Sequence, residues 1–474
     1  MASAKASHGA VLGAAVGGAA VAGMLVTRLS LVATGVLVAV AAAALVALFV
    51  VHRFGTRGLS AVALAAAAAT LGMNSVRLSA SVALSDFFLF TAGLILLPGL
   101  LLHAKQRLAA VKWLTGGTLL IVLGGLAGTA VSGDPALSLA QLTRFSIASV
   151  LLPILFALWN PSVDEIRRIA WLWVASVTAS AVVAVGESGT FYHDGRADGL
   201  TTHPNHLALT CALAIGPAVV LTLLSRGLAR WLGLAACALL VGGLLISGSR
   251  AGLIAFVLVL IAMAVLTRRM AIAGGIVAAT IAAAVLIFSG LVDLPAGNAV
   301  SRLIGSDDRT VTRGVLGSDA ARREELRLGL ERIMEHPITG TGFAEALAAH
   351  DIYLQVWAAA GIFGLAGFAI IIVALLNLPI RAFLARSPFV DPPSMLLIGF
   401  SASFIGYLVA GVFHNALWDR YIWLTPALLA VITPHAIRSL AGARNHDHRP
   451  LVAAPRAGRS PQPAPFGGRE NVRA

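Results

Sequence analysis

Runs of about 20 apolar residues recur along almost the whole chain, and they constrain the fold more than any other feature. As a helix, such a run crosses the roughly 30 Å hydrocarbon layer of a membrane with its backbone hydrogen bonds satisfied internally. Charged residues make up 12% of the 474 and hydrophobic residues 58%, whereas a soluble domain carries about 25% charge. The sequence therefore predicts an all-α polytopic membrane protein.

Hydropathy predicts fourteen transmembrane helices. The first is rich in Gly and Ala and the third is short and rich in Ala, so twelve helices is an open alternative. A signal peptide is disfavoured because no polar, small-residue cleavage region separates the first span from the next. The predicted spans are about 9–27, 31–51, 58–73, 84–102, 113–131, 141–159, 169–186, 205–224, 231–247, 251–266, 271–292, 352–376, 394–413 and 417–436.

Lysine and arginine are distributed unevenly between the two sides of these helices. With the N-terminus inside, the cytoplasmic segments before the C-terminal tail hold fourteen cationic residues and the short outer loops hold six. This positive-inside bias predicts that both termini lie in the cytoplasm. The high content of Ala and Arg suggests a bacterium, so we expect the protein in the bacterial cytoplasmic (inner) membrane. The net charge of +13 is then explained by anchoring near anionic lipid and by a basic tail, 437–474, that is predicted to be disordered. Nucleic-acid binding is not needed to explain it.

A polar segment, 293–351, interrupts the apolar pattern and carries ten of the 21 acidic residues. The parity of the spans places it outside the membrane. It separates a transmembrane region, 1–292, with site loops near 190–206 and 248–251, from the C-terminal spans, 352–436. We expect this segment to form a lid.

The lid contains the stretch SDAARREELRLGLERIMEHP, which predicts an amphipathic helix over 318–336. Ser318 or Asp319 would cap it, and His336-Pro337 would end it before a turn, ITGTGF. This Gly-Thr-Gly is not a nucleotide fingerprint, because the third glycine is missing. The apolar stripe of the helix would consist of Leu326, Leu330, Ile333 and Met334.

Four stretches on the predicted outer side concentrate polar groups where a loop meets a helix end. Within them, Arg250 is flanked by apolar helices, and an ionised group at that depth marks a functional site by default. The alternative is an arginine that extends to the lipid head groups. Arg196 is more ambiguous, because carboxylates at 194 and 198 flank it. The stretches are GRADGLTTHPNHLA (195–208), SGSRAGLIAF (247–256), AAHDIYLQ (348–355) and FHNALWDRY (413–421).

Histidines are the candidate acid–base groups. His350 titrates near neutrality and lies at the mouth of a helix on the same side as Arg250, as a general base would. A loop histidine bonded to water is the alternative. His203 and His206 are three residues apart, but no third ligand is evident and Pro204 predicts a helix start. We therefore expect no metal site there.

Three of these regions resemble the signature regions of the O-antigen ligase and polymerase superfamily. They are GRADGLTTHPNHLA, ISGSRAGLIAF, and ERIMEHPITGTGF followed by AHDIYLQVWAAAGIFGLAGF, and they cover about residues 190–375. The resemblance implies a multi-helix C-type glycosyltransferase. It would transfer a glycan from a polyprenyl pyrophosphate to an acceptor hydroxyl on the outer face of the membrane, without a nucleotide sugar, a metal or another cofactor.

The resemblance also implies roles for individual residues. Arg250 and, less surely, Arg196 would neutralise the departing pyrophosphate, and His350 would accept the proton of the acceptor. Asn205, His206 and Asp351 would bind substrate. The family usually has His-Asn where this chain has His350-Asp351, so Asp351 could raise the basicity of His350 or cap the following helix.

Two other functions remain open. A transporter of a small solute such as inorganic carbon, proposed for some family members, is one, although a transporter would place its polar groups near the bilayer midplane. A structural membrane anchor is the other, and it leaves Arg250 and the lid helix unexplained. Whether the chain polymerises repeat units or ligates them to a final acceptor is also open, because both reactions activate the same donor.

Overall fold

The computed structural model describes residues 55–78, 83–186, 196–268, 298–304, 309–344, 350–384, 391–414, 417 and 419–447. The regular structure in these ranges is helical, apart from one isolated bridge between Arg77 and Ala83. Nine helices in them are long and apolar enough to cross a membrane. The prediction of an all-α polytopic membrane protein is therefore confirmed.

Eleven of the predicted spans fall on described residues, and each coincides with a helix. The spans predicted at 9–27, 31–51 and 271–292 lie outside the described residues. The helices are α1 Thr56–Leu71, α2 Leu84–Arg107, α3 Lys112–Val131, α4 Pro135–Trp159 with a π turn at Ile147–Leu151, α5 Val163–Gly186, α6 Pro204–Leu224, α7 Leu228–Ile246, α8 Arg250–Thr267, α9 Ala299–Ile304, α10 Arg309–Glu335, α11 Ile352–Leu384, α12 Pro392–Ala410 and α13 Arg420–Asp447.

Helices α6 and α12 form the centre of the described bundle. Their apolar segments are 83% and 78% buried, against 33–61% for the other long apolar helices. They approach closely where Gly216 of α6 faces Gly399 of α12, and the Ser403 hydroxyl donates to the Leu213 carbonyl at 2.7 Å. Small residues allow such close backbone contact between helices in a membrane. The first turn of α6 is consequently held at a fixed place at one end of the bundle.

Helix α11 is broken at Gly361, where φ is 60° and ψ is −154°. The break frees the carbonyls of two preceding residues, and free backbone carbonyls at membrane depth are costly. The amides of Thr341 and Gly342 fill these positions, donating to the carbonyls of Ala358 and Ala359 at 2.7 and 3.1 Å. The predicted glycine turn after α10 is thus confirmed, and it docks the end of α10 onto the break in α11.

The start of the lid helix was predicted wrongly. Helix α10 begins at Arg309, nine residues before Ser318, and ends at Glu335 as the following His-Pro predicts. Ser318 and Asp319 lie inside the helix and do not cap it. No proline interrupts 309–317, and its two glycines each cost only about 1 kcal/mol in a helix. The Asp319 carboxylate is instead bonded to a side chain of the bundle.

The predicted apolar stripe of α10 does not form the docking face. Ile333 is buried, but Leu326, Leu330 and Met334 are 46%, 45% and 73% exposed. The side of α10 that faces the bundle carries Asp319 and Glu325, which contact Arg250 and His350, together with the buried Ile333. A stripe chosen by hydrophobicity alone misses this face, because ion pairs make part of the contacts.

Candidate active site

The first residues of α6, α8, α11 and α13 lie together at one end of the bundle, which we call the site face. Side chains cap three of these helices: His203 accepts from the Asn205 amide at 3.1 Å, Ser249 from the Gly252 amide at 3.3 Å, and Asp351 from the Tyr353 amide at 2.8 Å. Helix N-termini carry partial positive charge. The site face is therefore suited to an anionic ligand.

Arg196 connects two of these helix ends. Its Nη2 donates to the Asn205 Oδ1 at 2.5 Å and its Nε donates to the Ser247 carbonyl at 2.8 Å, at the end of α7. The guanidinium is partly buried, so Arg196 is not simply a solvated loop charge. Asn205 fixes Arg196, and through the Ser247 carbonyl Arg196 is linked to the turn that carries Arg250.

Arg250 is paired with the lid helix. Its Nη1 donates to one carboxylate oxygen of Asp319 at 3.2 Å, and its Nη2 donates to the other. The hydrogen bond from Arg250 is the main reason why the pKa of Asp319 is lower than usual. Arginine forms this two-pronged contact with carboxylates and with phosphates alike. Arg250 is thus held at the site face by α10, rather than extending freely to head groups.

His350 contacts a carboxylate of the same lid helix. Its Nδ1 lies against the Glu325 Oε2, and the side chains of His350 and Glu325 are 30% and 26% exposed. Burial, and then the nearby Arg322, lower the pKa of His350. Burial raises the pKa of Glu325, and Arg322 partly offsets that rise. The sequence did not single out Glu325, which stands among many charges in the stretch REELR.

Asp351 makes a different contact from the one that would activate His350. Its Oδ1 accepts from the amides of Tyr353 and Leu354 at 2.8 and 3.0 Å. Of the two interpretations of Asp351, the geometry shows the helix cap. The carboxylate against His350 belongs to Glu325 instead.

A group of histidines lies beside these residues. The His206 Nε2 is 3.6 Å from the Asp419 Oδ2, and its Nδ1 is 3.1 Å from the Thr202 hydroxyl. The His206 ring stacks on His414 at a centroid distance of 5.6 Å. Burial, and then His206, His350 and His203, hold the pKa of His414 well below its usual value. His414 and Asp419 come from FHNALWDRY, a stretch that the sequence singled out without assigning its residues.

The described residues contain no group of three or more His, Cys, Asp or Glu side chains arranged to hold a metal ion. His203 is the cap of α6 and His206 faces Asp419. The arrangement offers a guanidinium fork for an anion and, next to it, a histidine with a carboxylate partner.

Comparison with known proteins adds one match. Residues 235–369 match the model of the family described as O-antigen ligase. The matched segment runs from α7 into α11 and includes Arg250, Asp319, Glu325 and His350. No curated protein matches the chain. The match supports the resemblance of the sequence to the O-antigen ligase and polymerase superfamily, and it indicates glycan transfer by a multi-pass membrane protein. It lends no support to the transporter interpretation.

Proposed function

We propose that this protein transfers a glycan from a polyprenyl pyrophosphate to an acceptor hydroxyl on the outer face of the cytoplasmic membrane. One observation carries the proposal beyond the family match. Arg250 and His350 are 100 positions apart in the chain, yet carboxylates of the same helix, α10, contact both. A group suited to binding phosphate and a group suited to accepting a proton are thus contacted by the same helix, which supports a shared site. The protein would act as a polysaccharide ligase or polymerase.

Arg250 would bind the pyrophosphate of the donor. Its guanidinium already holds both oxygens of a carboxylate, and phosphate oxygens suit the same planar fork. When the bond between the sugar and the pyrophosphate breaks, negative charge develops on the leaving group. A guanidinium fixed beforehand at that position stabilises the developing charge. Arg196 would add to this field from the neighbouring helix end.

His350 would act on the acceptor. The acceptor oxygen attacks the anomeric carbon and forms the new carbon–oxygen bond, while the bond to the carrier breaks and its electron pair leaves with the pyrophosphate. The proton of the hydroxyl passes to the neutral imidazole and later to water. General bases of this kind contribute about 10²- to 10⁴-fold. Burial and Arg322 lower the pKa of His350 and so favour the neutral form that accepts a proton.

The apolar helices and the charge distribution support the membrane part of the proposal. The ends of α2, α6, α8 and α13 that lie opposite the site face are followed by or contain arginines, at 107, 226, 268 and 438. The positive-inside rule assigns such an end to the cytoplasm. The site face would then lie at the outer surface, where lipid-linked glycans and their acceptors meet. The step described above needs no nucleotide sugar and no metal.

The test is transfer by the purified protein in proteoliposomes with a polyprenyl-pyrophosphate glycan. We expect products whose sizes distinguish repeated addition from a single transfer. Arg250→Lys keeps the charge but loses the fork, so transfer should fall by orders of magnitude, whereas Arg323→Lys on the exposed side of α10 should transfer normally. A His350→Ala protein that binds donor and transfers at the wild-type rate would disprove the assigned mechanism.

A further inference from the structure

We propose that Glu325 is a positioning residue for His350, and that its carboxylate holds the Nδ1 proton so that Nε2 is left free to accept the proton of the acceptor. This inference rests on the proposed function, because it concerns the base of that reaction. The lid helix would then take part in the chemistry as well as cover the site.

The contact geometry singles out Glu325 among the nearby carboxylates. Its Oε2 lies directly against the His350 Nδ1. Asp351 is adjacent in the chain, but its Oδ1 is engaged with two amides at the start of α11. Asp319 is engaged with Arg250. Glu325 is therefore the carboxylate placed to orient the imidazole.

The orientation matters because a neutral imidazole carries its proton on only one of its two nitrogens. A carboxylate against Nδ1 favours the tautomer with the proton on Nδ1 and leaves the lone pair on Nε2. The same arrangement orients the histidine of serine-protease triads and stabilises the imidazolium that forms there. Without such a partner, the tautomer with the proton on Nε2 can donate but cannot accept at that nitrogen.

The other charged groups around His350 make this partner necessary. Arg322 on α10 lowers the pKa of His350, and His350 is in turn one of the groups that lower the pKa of His414, from the segment after α12. Asp351 stands next to it in the chain. When His350 takes up a proton, the new positive charge faces Arg322. The Glu325 carboxylate offsets that repulsion during the step.

Because Glu325 belongs to α10, the base is complete only while the lid is docked. Asp319, Arg322 and Glu325 follow one another at intervals of three residues, along one side of a helix with 3.6 residues per turn. Docking this side brings a carboxylate to Arg250 and another to His350. A protein with an undocked lid would retain both catalytic residues but would lack an oriented base.

The first experiment uses Glu325→Gln in the full-length protein in proteoliposomes. Its amide can donate to Nδ1 and stabilise the wrong tautomer, so we expect kcat to fall at least about 10²-fold, within the range of a general base. The KM for the donor should change less than about twofold. The acid limb of kcat should move to lower pH, because an opposite charge that favours the imidazolium is lost. Glu324→Gln, at a neighbouring exposed carboxylate paired with Arg327, is the matched control and should behave as wild type.

A second experiment tests the effect of the charge at position 325 in a single preparation of folded protein. In a background where Cys211 and Cys237 are replaced by alanine, purified Glu325→Cys is alkylated with iodoacetate or with iodoacetamide. The first reagent attaches a carboxylate and the second a neutral amide of similar size. We expect iodoacetate alone to restore transfer, by at least tenfold over the amide product, and to shift the acid limb back to higher pH.

The outcomes separate this inference from the proposed function. If His350→Ala abolishes transfer while Glu325→Gln keeps the wild-type kcat and acid limb, His350 is the base without Glu325 and the inference is wrong. Equal activity of the two alkylated proteins would also overturn it, even if Glu325→Gln fails to fold. If His350→Ala transfers at the wild-type rate, the proposed mechanism itself fails.

Discussion

The contact between Arg250 and Asp319 predicts that the lid competes with the donor. The carboxylate of Asp319 occupies the guanidinium fork that we assign to the pyrophosphate. A donor must therefore displace it or share the fork with it. Asp319→Asn removes the charge and keeps the shape of the side chain, so we expect tighter binding of the donor.

The expected gain is modest because the pair is partly solvated. The side chains of Arg250 and Asp319 are 20% and 39% exposed, and exposed ion pairs are worth about 0.2–1 kcal/mol. Each 1.4 kcal/mol corresponds to a tenfold change in affinity. Because the contact has two prongs, the upper part of the range applies. The dissociation constant should therefore fall about two- to fivefold.

The assay is the binding of polyprenyl pyrophosphate without glycan to the purified protein, followed by titration at fixed ionic strength. Arg250 keeps the pKa of Asp319 below its usual value of about 4. Because the pKa of Asp319 is lowered, its ion pair with Arg250 persists at every pH above the lowered pKa. The pair is lost only as the pH falls through that pKa. The difference in donor affinity between wild type and Asp319→Asn should accordingly be constant from roughly pH 6 to 8.

The control is Glu324→Gln, which removes the same charge from the same helix at a residue paired with Arg327. It should leave the affinity unchanged. Weaker binding in Asp319→Asn would show that Asp319 orders Arg250 for the donor and does not compete with it. If both variants bind the donor more tightly by the same factor, the effect comes from the net charge of the lid and not from the contact with Arg250.

Three further predictions concern the base, the broken helix and the orientation. Arg322→Gln should move the acid limb of kcat to higher pH, opposite to the shift expected for the glutamate variant, because a cation that lowers the pKa of the catalytic histidine is removed. Gly361→Ala should destabilise the protein by more than about 1 kcal/mol, seen as a lower Tm, because the residue has φ +60°, whereas Gly116→Ala, in open space, should not. In a background without native cysteines, Ala320→Cys should react with an impermeant maleimide in intact cells and Arg226→Cys should not. The reverse labelling would overturn the proposed orientation.

The sequence predicted the helices well because the membrane imposes the pattern. A span of about 20 apolar residues has few alternatives in lipid, and each of the eleven spans on described residues coincided with a helix. The start of α10 was harder to predict, because nothing in the polar segment limits where a helix begins. Asp319 looked like a cap because Asp is common at that position, but its partner, Arg250, is 69 residues away.

Two residues of the candidate site could be picked out of the sequence because they stand out against the same apolar pattern. Arg250 and His350 stood out because each is a polar group at the edge of an apolar run. Glu325 could not be distinguished from the other carboxylates of the lid, because only the docking of α10 selects one of them. The burial of His414 likewise depends on the packing of α6 and α12, and a single sequence does not show which helices are neighbours.

The way α10 is anchored suggests how the contact between Asp319 and Arg250 can open while Glu325 stays against His350. Its end is fixed at Pro337, whose carbonyl accepts from the Ile362 amide at 3.1 Å and the Trp357 indole at 3.2 Å. At 1.5 Å per residue, Asp319 lies about 27 Å from that anchor and Glu325 about 18 Å. A tilt about Pro337 therefore moves Asp319 half as far again as Glu325. Glutamate also has one more methylene with which to follow the movement. A donor could thus open the Arg250 fork while His350 retains the carboxylate that orients it, so binding and proton transfer are served by one helix without conflict.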